Sequence, residues 1–131
     1  MILKKRCETK EAAALLELFR PLYVDEEKLP GRILLWNSLK DHVRCVCRPF
    51  SQVEALPFFQ SRGEEPVLLY DEREKALYTA RWREITDYIH SLEPWEEAID
   101  LLIFDRSLRW FAAITHEDLQ TICAGEAIAG Q

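Results

Sequence analysis

The chain has 131 residues, of which 48% are apolar and 31% are charged, and its formal net charge is −6. These values are typical of one globular domain of ordinary size. The longest apolar runs are far shorter than the roughly 20 residues that a membrane span needs, and four scattered cysteines are too few for a disulfide scaffold. No apolar stretch follows the first basic residues, so we expect no secretory signal and a cytoplasmic location.

The charge is unevenly distributed along the chain. Residues 1–48 hold ten Lys and Arg against seven Asp and Glu, whereas residues 49–131 hold seven against sixteen. A nucleic-acid binder needs clustered cations, and only Lys4-Lys5-Arg6 at the N-terminus offers them. We therefore expect neither a nucleic-acid nor a membrane partner, and the acidic majority favours a basic protein partner.

The first predicted element is an amphipathic helix over residues 10–19. Apolar side chains recur at the spacing of one helix face. Thr9 is a plausible N-cap, and Pro21 predicts that the helix ends near Phe19. The predicted apolar face consists of Ala12, Leu15, Leu16, Phe19 and Leu22.

The middle of the chain mixes short elements. Residues 32–41 suit a short buried helix slightly better than a strand, and the alternation over residues 42–48 predicts a strand. Residues 67–70 form a second predicted strand. From Ala76 the pattern allows one helix, but we favour a short strand over 76–80 followed by a helix from about Arg81.

The C-terminal third contains three β-like runs, at residues 99–104, 108–115 and 119–123. Their tight polar connections require antiparallel neighbours, which predicts a meander. The fold class is therefore α+β. We expect one domain over residues 1–131, with a mainly antiparallel sheet of four to six strands, helices packed on one face and a C-terminal three-stranded meander.

The common catalytic and nucleotide-binding motifs are absent. The four glycines, which lie at positions 31, 63, 125 and 130, cannot form a phosphate-binding loop or a dinucleotide fingerprint. The sequence also lacks a G-x-S-x-G elbow, an H-E-x-x-H helix and an EF-hand loop. These absences favour a non-enzymatic protein without a cofactor.

One local cluster has groups that bind metals or transfer protons. His116, Glu117 and Asp118 are adjacent and lie between two predicted strands. An imidazole and two carboxylates are suitable metal ligands. Polar residues are equally typical of a tight turn, however, and we favour that interpretation.

The cysteines and the other histidines give weaker signals. Cys45 and Cys47 lie on one side of a predicted strand, but a zinc site needs four ligands, which Cys7 and Cys123 would have to complete. We favour buried structural thiols. His90 lies near a predicted helix C-terminus, where a cation interacts favourably with the helix dipole.

The strongest candidate for an interaction site is the segment after the predicted helix, which consists of Glu93, Trp95, Glu96 and Glu97 with Pro94 among them. Tryptophan is enriched among the residues that dominate binding energy, and acidic neighbours steer a cationic partner. The alternative is that Trp95 folds over the core while the glutamates are solvated.

The stretch from Ile103 to Asp118, IFDRSLRWFAAITHED, resembles the ending of several families of small bacterial proteins. Those families close with a strand, a turn, a Trp-bearing strand and a Thr-His-Glu tail. Some of their relatives resemble immunity proteins of bacterial toxin systems, which act by binding a toxin. The resemblance covers residues 92–125 and implies a bacterial, cytoplasmic α+β protein without assigned catalytic residues.

Three functional interpretations remain open. The leading one is a non-enzymatic, immunity-type or regulatory protein that binds a basic protein through Glu93, Trp95, Glu96 and Glu97. The second is a small enzyme or metal-dependent protein that uses His116, Glu117 and Asp118. The third is a self-associating structural subunit, because the apolar runs could exceed what one small core hides.

Overall fold

The computed structural model describes residues 10–28 and 34–129, and the following elements are numbered in chain order. The four α-helices are α1 (Lys10–Tyr23), α2 (Phe50–Val53), α3 (Pro57–Gln60) and α4 (Trp82–His90). The six strands are β1 (Cys45–Pro49), β2 (Pro66–Asp71), β3 (Ala76–Arg81), β4 (Leu101–Phe104), β5 (Trp110–Ile114) and β6 (Gln120–Gly125). Three short 3₁₀ turns cover Leu35–Asn37, Pro94–Glu96 and Glu126–Ile128.

The six strands form one antiparallel sheet in the order β1-β6-β5-β4-β2-β3. Strands β4, β5 and β6 are consecutive and adjacent, so the predicted meander is confirmed, as is the α+β class. Strands β2 and β3 form a hairpin that joins the meander through β4, and β1 pairs with β6 at the opposite edge.

Helices α2, α3 and α4 cover one face of the sheet. The helix predicted from about Arg81 is confirmed as α4, and its residues Trp82, Ile85 and Ile89 are all buried against this face. Phe59 of α3 stacks on Trp82 with 4.2 Å between ring centroids. Strand residues that point to this side include Leu69, Ile103, Trp110, Ala112 and Ile114.

Helix α1 and the first 3₁₀ turn cover the second face. Phe19 is fully buried there, with its ring centroid 5.2 Å from that of Phe104 and 5.5 Å from that of Phe111. The prediction of helices on one face is therefore incomplete. Because β4 and β5 carry apolar side chains on both sides, both sides must be removed from water.

The details of α1 differ from the prediction. The helix continues through Pro21 to Tyr23 instead of ending near Phe19, and Leu22 is 48% exposed although it was placed on the apolar face. A proline in the last turn removes only one backbone donor, and the next turn still closes through a hydrogen bond from Val24 N to Arg20 O. The predicted N-cap, Thr9, lies outside the described residues.

The ambiguous middle segments are now assigned. Residues 76–90 form a strand followed by a helix, as we favoured, and Glu84 caps the helix by accepting a hydrogen bond from Arg81 N at 2.9 Å. The strand predicted over residues 42–48 begins only at Cys45. Within the described part of residues 32–41, a single 3₁₀ turn takes the place of the expected short helix. No helix in the described ranges is long and apolar enough to cross a membrane.

Gly125 is required where β6 turns into the last 3₁₀ turn. Its φ is +71°, and a Cβ added there would lie 2.0 Å from the carbonyl oxygen of Arg109. That oxygen accepts a hydrogen bond from Glu126 N at 2.9 Å, so it is held in place. Only a residue without a Cβ fits this close approach.

We expect Gly125→Ala to lower the free energy of unfolding by about 2 kcal/mol or more, because it combines a backbone clash with an unfavourable φ. Gly63→Ala is the matched control, since the nearest atom to its added Cβ is 4.0 Å away. We expect the control to change stability by less than about 0.5 kcal/mol. Urea unfolding measures both, and equal effects would contradict the prediction.

Candidate functional site

The segment predicted to form an interaction site lies on the surface between α4 and β4. Trp95 is 78% exposed, the highest value among the large hydrophobic side chains of the described residues. The alternative that Trp95 folds over the core is therefore wrong. Glu93 and Glu96 are also exposed, and Glu97 is half-buried. We call Glu93, Trp95, Glu96 and Glu97 the acidic surface.

Local hydrogen bonds order the backbone of the turn that carries the acidic surface. Glu93 N donates to the Glu96 side chain at 3.0 Å, and Glu96 N donates to the Glu93 carbonyl oxygen at 2.8 Å. Pro94 occupies the first position of the 3₁₀ turn, where its fixed φ is favourable. Leu92 and Ile99 pack against the core on either side. Trp95 thus projects from a turn that is anchored at both ends.

The negative charge of the acidic surface extends towards the β2–β3 turn. Burial raises the pKa of Tyr88, and the charges of Asp71, Glu96 and Glu74 act in the same direction. Glu74 also accepts a hydrogen bond from the Tyr78 hydroxyl at 3.2 Å. Carboxylates from two separate chain segments therefore contribute to the potential around one phenol.

A second group of functional side chains gathers where β2 ends and β4 begins. Asp100 is fully buried just before β4, and its carboxylate accepts hydrogen bonds from three different segments. Trp36 Nε1 donates to Oδ1 at 2.9 Å, and Arg73 Nε donates to Oδ2 at 2.7 Å. The backbone N of His116 donates to Oδ1 at 3.2 Å. Asp100 thereby joins the first 3₁₀ turn, the β2–β3 turn and the β5–β6 turn.

His116 is the one member of the predicted His116-Glu117-Asp118 cluster that belongs to this group. Its Nδ1 lies 2.9 Å and 3.1 Å from the two oxygens of Asp100, and its ring packs edge-on against Trp36. A carboxylate on Nδ1 orients the imidazole and sets its tautomer. The described residues provide no hydrogen-bond partner for Nε2, and the side chain is partly exposed.

Glu117 and Asp118 are exposed turn residues, as the turn interpretation expects. Asp118 and Leu119 both have positive φ, at 55° and 57°. Two successive residues with positive φ match the twist of antiparallel strands. This turn positions His116 at the end of β5 beside Asp100.

Glu72 is the most perturbed carboxyl of the described residues. It is 8% exposed and follows β2, where its Oε1 accepts a hydrogen bond from Leu35 N at 2.6 Å. Its Oε2 is buried without a hydrogen-bond partner. Burial raises the pKa of Glu72 to about 7, and the charges of Asp100 and Asp71 add to this effect. We call Asp71, Glu72 and Asp100 the carboxylate cluster.

Asp71 completes the carboxylate cluster at the last position of β2. Its Oδ1 accepts hydrogen bonds from Arg73 N and Glu74 N, at 3.0 Å and 3.1 Å, which shapes the β2–β3 turn. Burial raises the pKa of Asp71. Three buried carboxyls therefore lie near one another, and the Arg73 side chain forms an ion pair with one of them, Asp100. Burial thus raises the pKa of two neighbouring carboxyls, Asp71 and Glu72, and neighbouring carboxyls with raised pKa values are typical of functional sites.

The cysteines do not form a reactive or metal-binding centre in the described ranges. Cys45 and Cys47 are exposed on the edge strand β1, so the interpretation of buried thiols is wrong for both, whereas Cys123 is buried. Burial raises the pKa of Cys123 to about 12. The fourth cysteine, Cys7, lies outside the described residues.

The other two histidines lie apart from the carboxylate cluster. His90 ends α4, and its Nε2 lies 2.8 Å from Glu54 Oε1, whereas His42 is exposed before β1. Within the described part of the chain, no three His, Cys, Asp or Glu side chains are close enough together to hold a metal ion.

The chain matches no protein-family model, no curated protein and no solved structure in comparisons with known proteins.

Sequence reasoning missed most of the carboxylate cluster. Asp71 and Asp100 adjoin apolar strands, and such an acid at a strand boundary is the one local signal for a buried carboxyl. The register that places Asp71 opposite Leu101 brings the two strand ends together. Trp36 is 64 residues from Asp100 in sequence, so no local pattern predicts their hydrogen bond.

We expect Glu72→Gln to remove a pH dependence from stability. The amide oxygen still accepts from Leu35 N, but the side chain no longer titrates. Between the ordinary pKa of 4.5 and about 7, folded Glu72 keeps a proton that the unfolded chain has lost. Its contribution to stability is therefore complete below pH 4.5 and is lost as the pH rises through 7.

Relative to Glu72→Gln, the wild type should lose about 2 kcal/mol of unfolding free energy between pH 5 and pH 8. Urea unfolding at several pH values measures the difference. Glu117→Gln is the control, because Glu117 is an exposed carboxyl in a neighbouring turn. Parallel curves for the wild type and Glu72→Gln would show that Glu72 titrates normally.

Proposed function

We propose that this protein binds a basic protein partner through the acidic surface, without catalysing a reaction, in the manner of immunity-type or regulatory proteins. The observation that carries the proposal is the 78% exposure of Trp95 on an anchored turn. A tryptophan held in water loses the hydrophobic stabilisation that burial provides. Binding of a partner over this ring recovers that stabilisation.

The rigidity of the turn supports the same function. A backbone that is already ordered loses less conformational entropy on binding, so more of the contact energy contributes to affinity. The backbone that carries Trp95 is ordered in this way, because the turn is closed by the reciprocal hydrogen bonds of Glu93 and Glu96. Aromatic anchors dominate many interfaces.

The charge around Trp95 supports a cationic partner. Glu93, Glu96 and Glu97 adjoin Trp95 in sequence, and the charge of Glu96 acts on Tyr88 together with that of Glu74 from the β2–β3 turn. Complementary charge accelerates encounter and disfavours acidic competitors. The net charge of −6 acts in the same direction at longer range. A bacterial toxin with a basic surface fits this chemistry, in agreement with the resemblance of residues 92–125 to the endings of immunity-related families.

The test compares capture of partners from a lysate of the native host at low salt. We expect the immobilised wild type to retain one basic protein in a stoichiometric amount. The double variant Trp95→Ala/Glu96→Gln should lose at least nine-tenths of it, because truncation of an interface tryptophan costs about 2 kcal/mol or more. Its unfolding free energy should change by less than about 0.5 kcal/mol, since both side chains are exposed.

The matched control is Leu18→Ala/Glu27→Gln, which removes one exposed apolar side chain and one exposed charge. Both residues are distant in sequence from the acidic surface. Capture by this control should equal that of the wild type, and capture by all forms should decline as salt screens the charges. Undiminished capture by Trp95→Ala/Glu96→Gln would exclude the acidic surface as the interface.

A second candidate function is proton transfer or hydrolysis at His116. It is supported by the pairing of Nδ1 with the buried Asp100 and by the exposure of the imidazole. A carboxylate behind an imidazole strengthens it as a base or nucleophile. Glu117 and Asp118, the partners expected from sequence, have exposed side chains and play no part in this pairing.

Hydrolysis of p-nitrophenyl acetate tests the reactivity of this imidazole. Because Nδ1 is paired with Asp100, Nε2 is the ring nitrogen that would attack the ester. We expect His116→Gln to lower the protein-dependent rate at least threefold and His42→Gln, which removes an exposed histidine, to lower it less. Equal effects of the two substitutions would remove the second candidate.

A further inference from the structure

A cleft lies at the end of the β2–β4 pair opposite the carboxylate cluster. Its outer part has a volume of about 260 Å³ and is bordered by the start of β2 and the β4–β5 turn. A smaller inner cavity of about 10 Å³ continues beneath α3. The two volumes share Glu65, Val67 and Asp105 as lining residues, so they lie next to each other.

Two hydrogen-bond donors in the inner cavity have no partner. Trp110 is 2% exposed, and its Nε1 is buried without an acceptor. The Nε of Arg62 is likewise buried without an acceptor. Both residues line the inner cavity. Buried donors are almost always satisfied, so two orphaned donors on residues that line one cavity call for an acceptor from outside the chain.

The surrounding aromatic rings hold these donors in position. The Arg62 guanidinium lies over the Phe58 ring, 4.1 Å from its centroid. Phe58 and Phe59 both meet Trp110 edge-on, with centroid distances of 5.3 Å and 5.5 Å. Phe59 is in turn stacked on Trp82. The donors are therefore ordered before any ligand arrives, which lowers the entropic cost of binding.

The charges along the cleft favour a neutral ligand. Arg62 and Arg106 contribute two cations, and Glu65 and Asp105 contribute two carboxylates. An anion would meet both carboxylates, and a cation would meet both arginines. A neutral group with an acceptor and a donor close together matches both pairs.

We propose that this cleft binds a small neutral molecule through a carboxamide group. The amide oxygen accepts hydrogen bonds from Trp110 Nε1 and Arg62 Nε in the inner cavity, which has room for about one oxygen atom. The amide N–H₂ faces the carboxylates of Asp105 and Glu65. The remainder of the molecule occupies the outer cleft, whose volume approaches that of small-ligand pockets. This site is independent of the acidic surface.

The test uses the ¹⁵N-labelled 131-residue chain and three matched probes. Benzamide offers both an acceptor and a donor, acetophenone offers only the acceptor, and benzoate carries a negative charge. The chain has four tryptophans, so its spectrum contains few indole N–H signals. The signal that disappears in Trp110→Phe is that of Trp110. We expect benzamide to shift the Trp110 indole and Arg62 Nε–H signals saturably, acetophenone to bind at least threefold more weakly, and benzoate more weakly still.

Two variants make the outcome decisive. Trp110→Phe keeps the ring and removes the donor, and Arg62→Met keeps a long side chain over Phe58, so each should weaken benzamide binding about tenfold. Trp95→Phe, on the acidic surface, should leave the affinity unchanged. The proposal is overturned if no probe gives a saturable shift up to about 10 mM, which would mean that water alone occupies the inner cavity. The proposal would also be overturned if benzoate bound more tightly than benzamide, or if both variants bound benzamide with the affinity of the wild type.

Discussion

The two-sided burial of β4 and β5 is the constraint on which the rest of this structure depends. Every residue of Leu101–Phe104 and of Trp110–Ile114 is buried. Successive side chains of a strand point to opposite faces, so both faces need a cover. Helices α2–α4 supply one cover and α1 with the first 3₁₀ turn supplies the other. The sheet is thereby the middle layer of three.

The carboxylate cluster follows from that middle layer. Because both faces are covered, groups at the strand ends lie under the covering segments and lose contact with water. The turn at Leu35–Asn37 closes over Glu72 and Asp100, and the bonds to Leu35 N and Trp36 Nε1 compensate part of their desolvation. The remaining cost appears as the raised pKa of Glu72. The segment that packs on the second face of the sheet therefore also raises the pKa of Glu72, because it buries this carboxyl at the end of β2.

The two ends of the β2–β4 pair carry different chemistry. One end combines buried carboxyls, His116 and the negative potential that reaches the acidic surface. The other end combines aromatic walls with the two orphaned donors of Trp110 and Arg62. Antiparallel pairing places both ends on the same two strands, about a strand length apart. A protein partner at one end and a small molecule at the other would thus share a rigid support.

The sequence by itself determined the class of fold and the C-terminal meander, and it favoured the change from strand to helix at Arg81 without excluding one continuous helix. These features depend on side-chain periodicity and on turn residues within a few positions of one another. Only the tertiary structure decided that Trp95 is exposed, that Cys45 and Cys47 lie on an edge, and that His116 meets Asp100. Exposure and convergence depend on which distant segments cover a residue, and such contacts are set by strand register and layer packing, which no local pattern encodes.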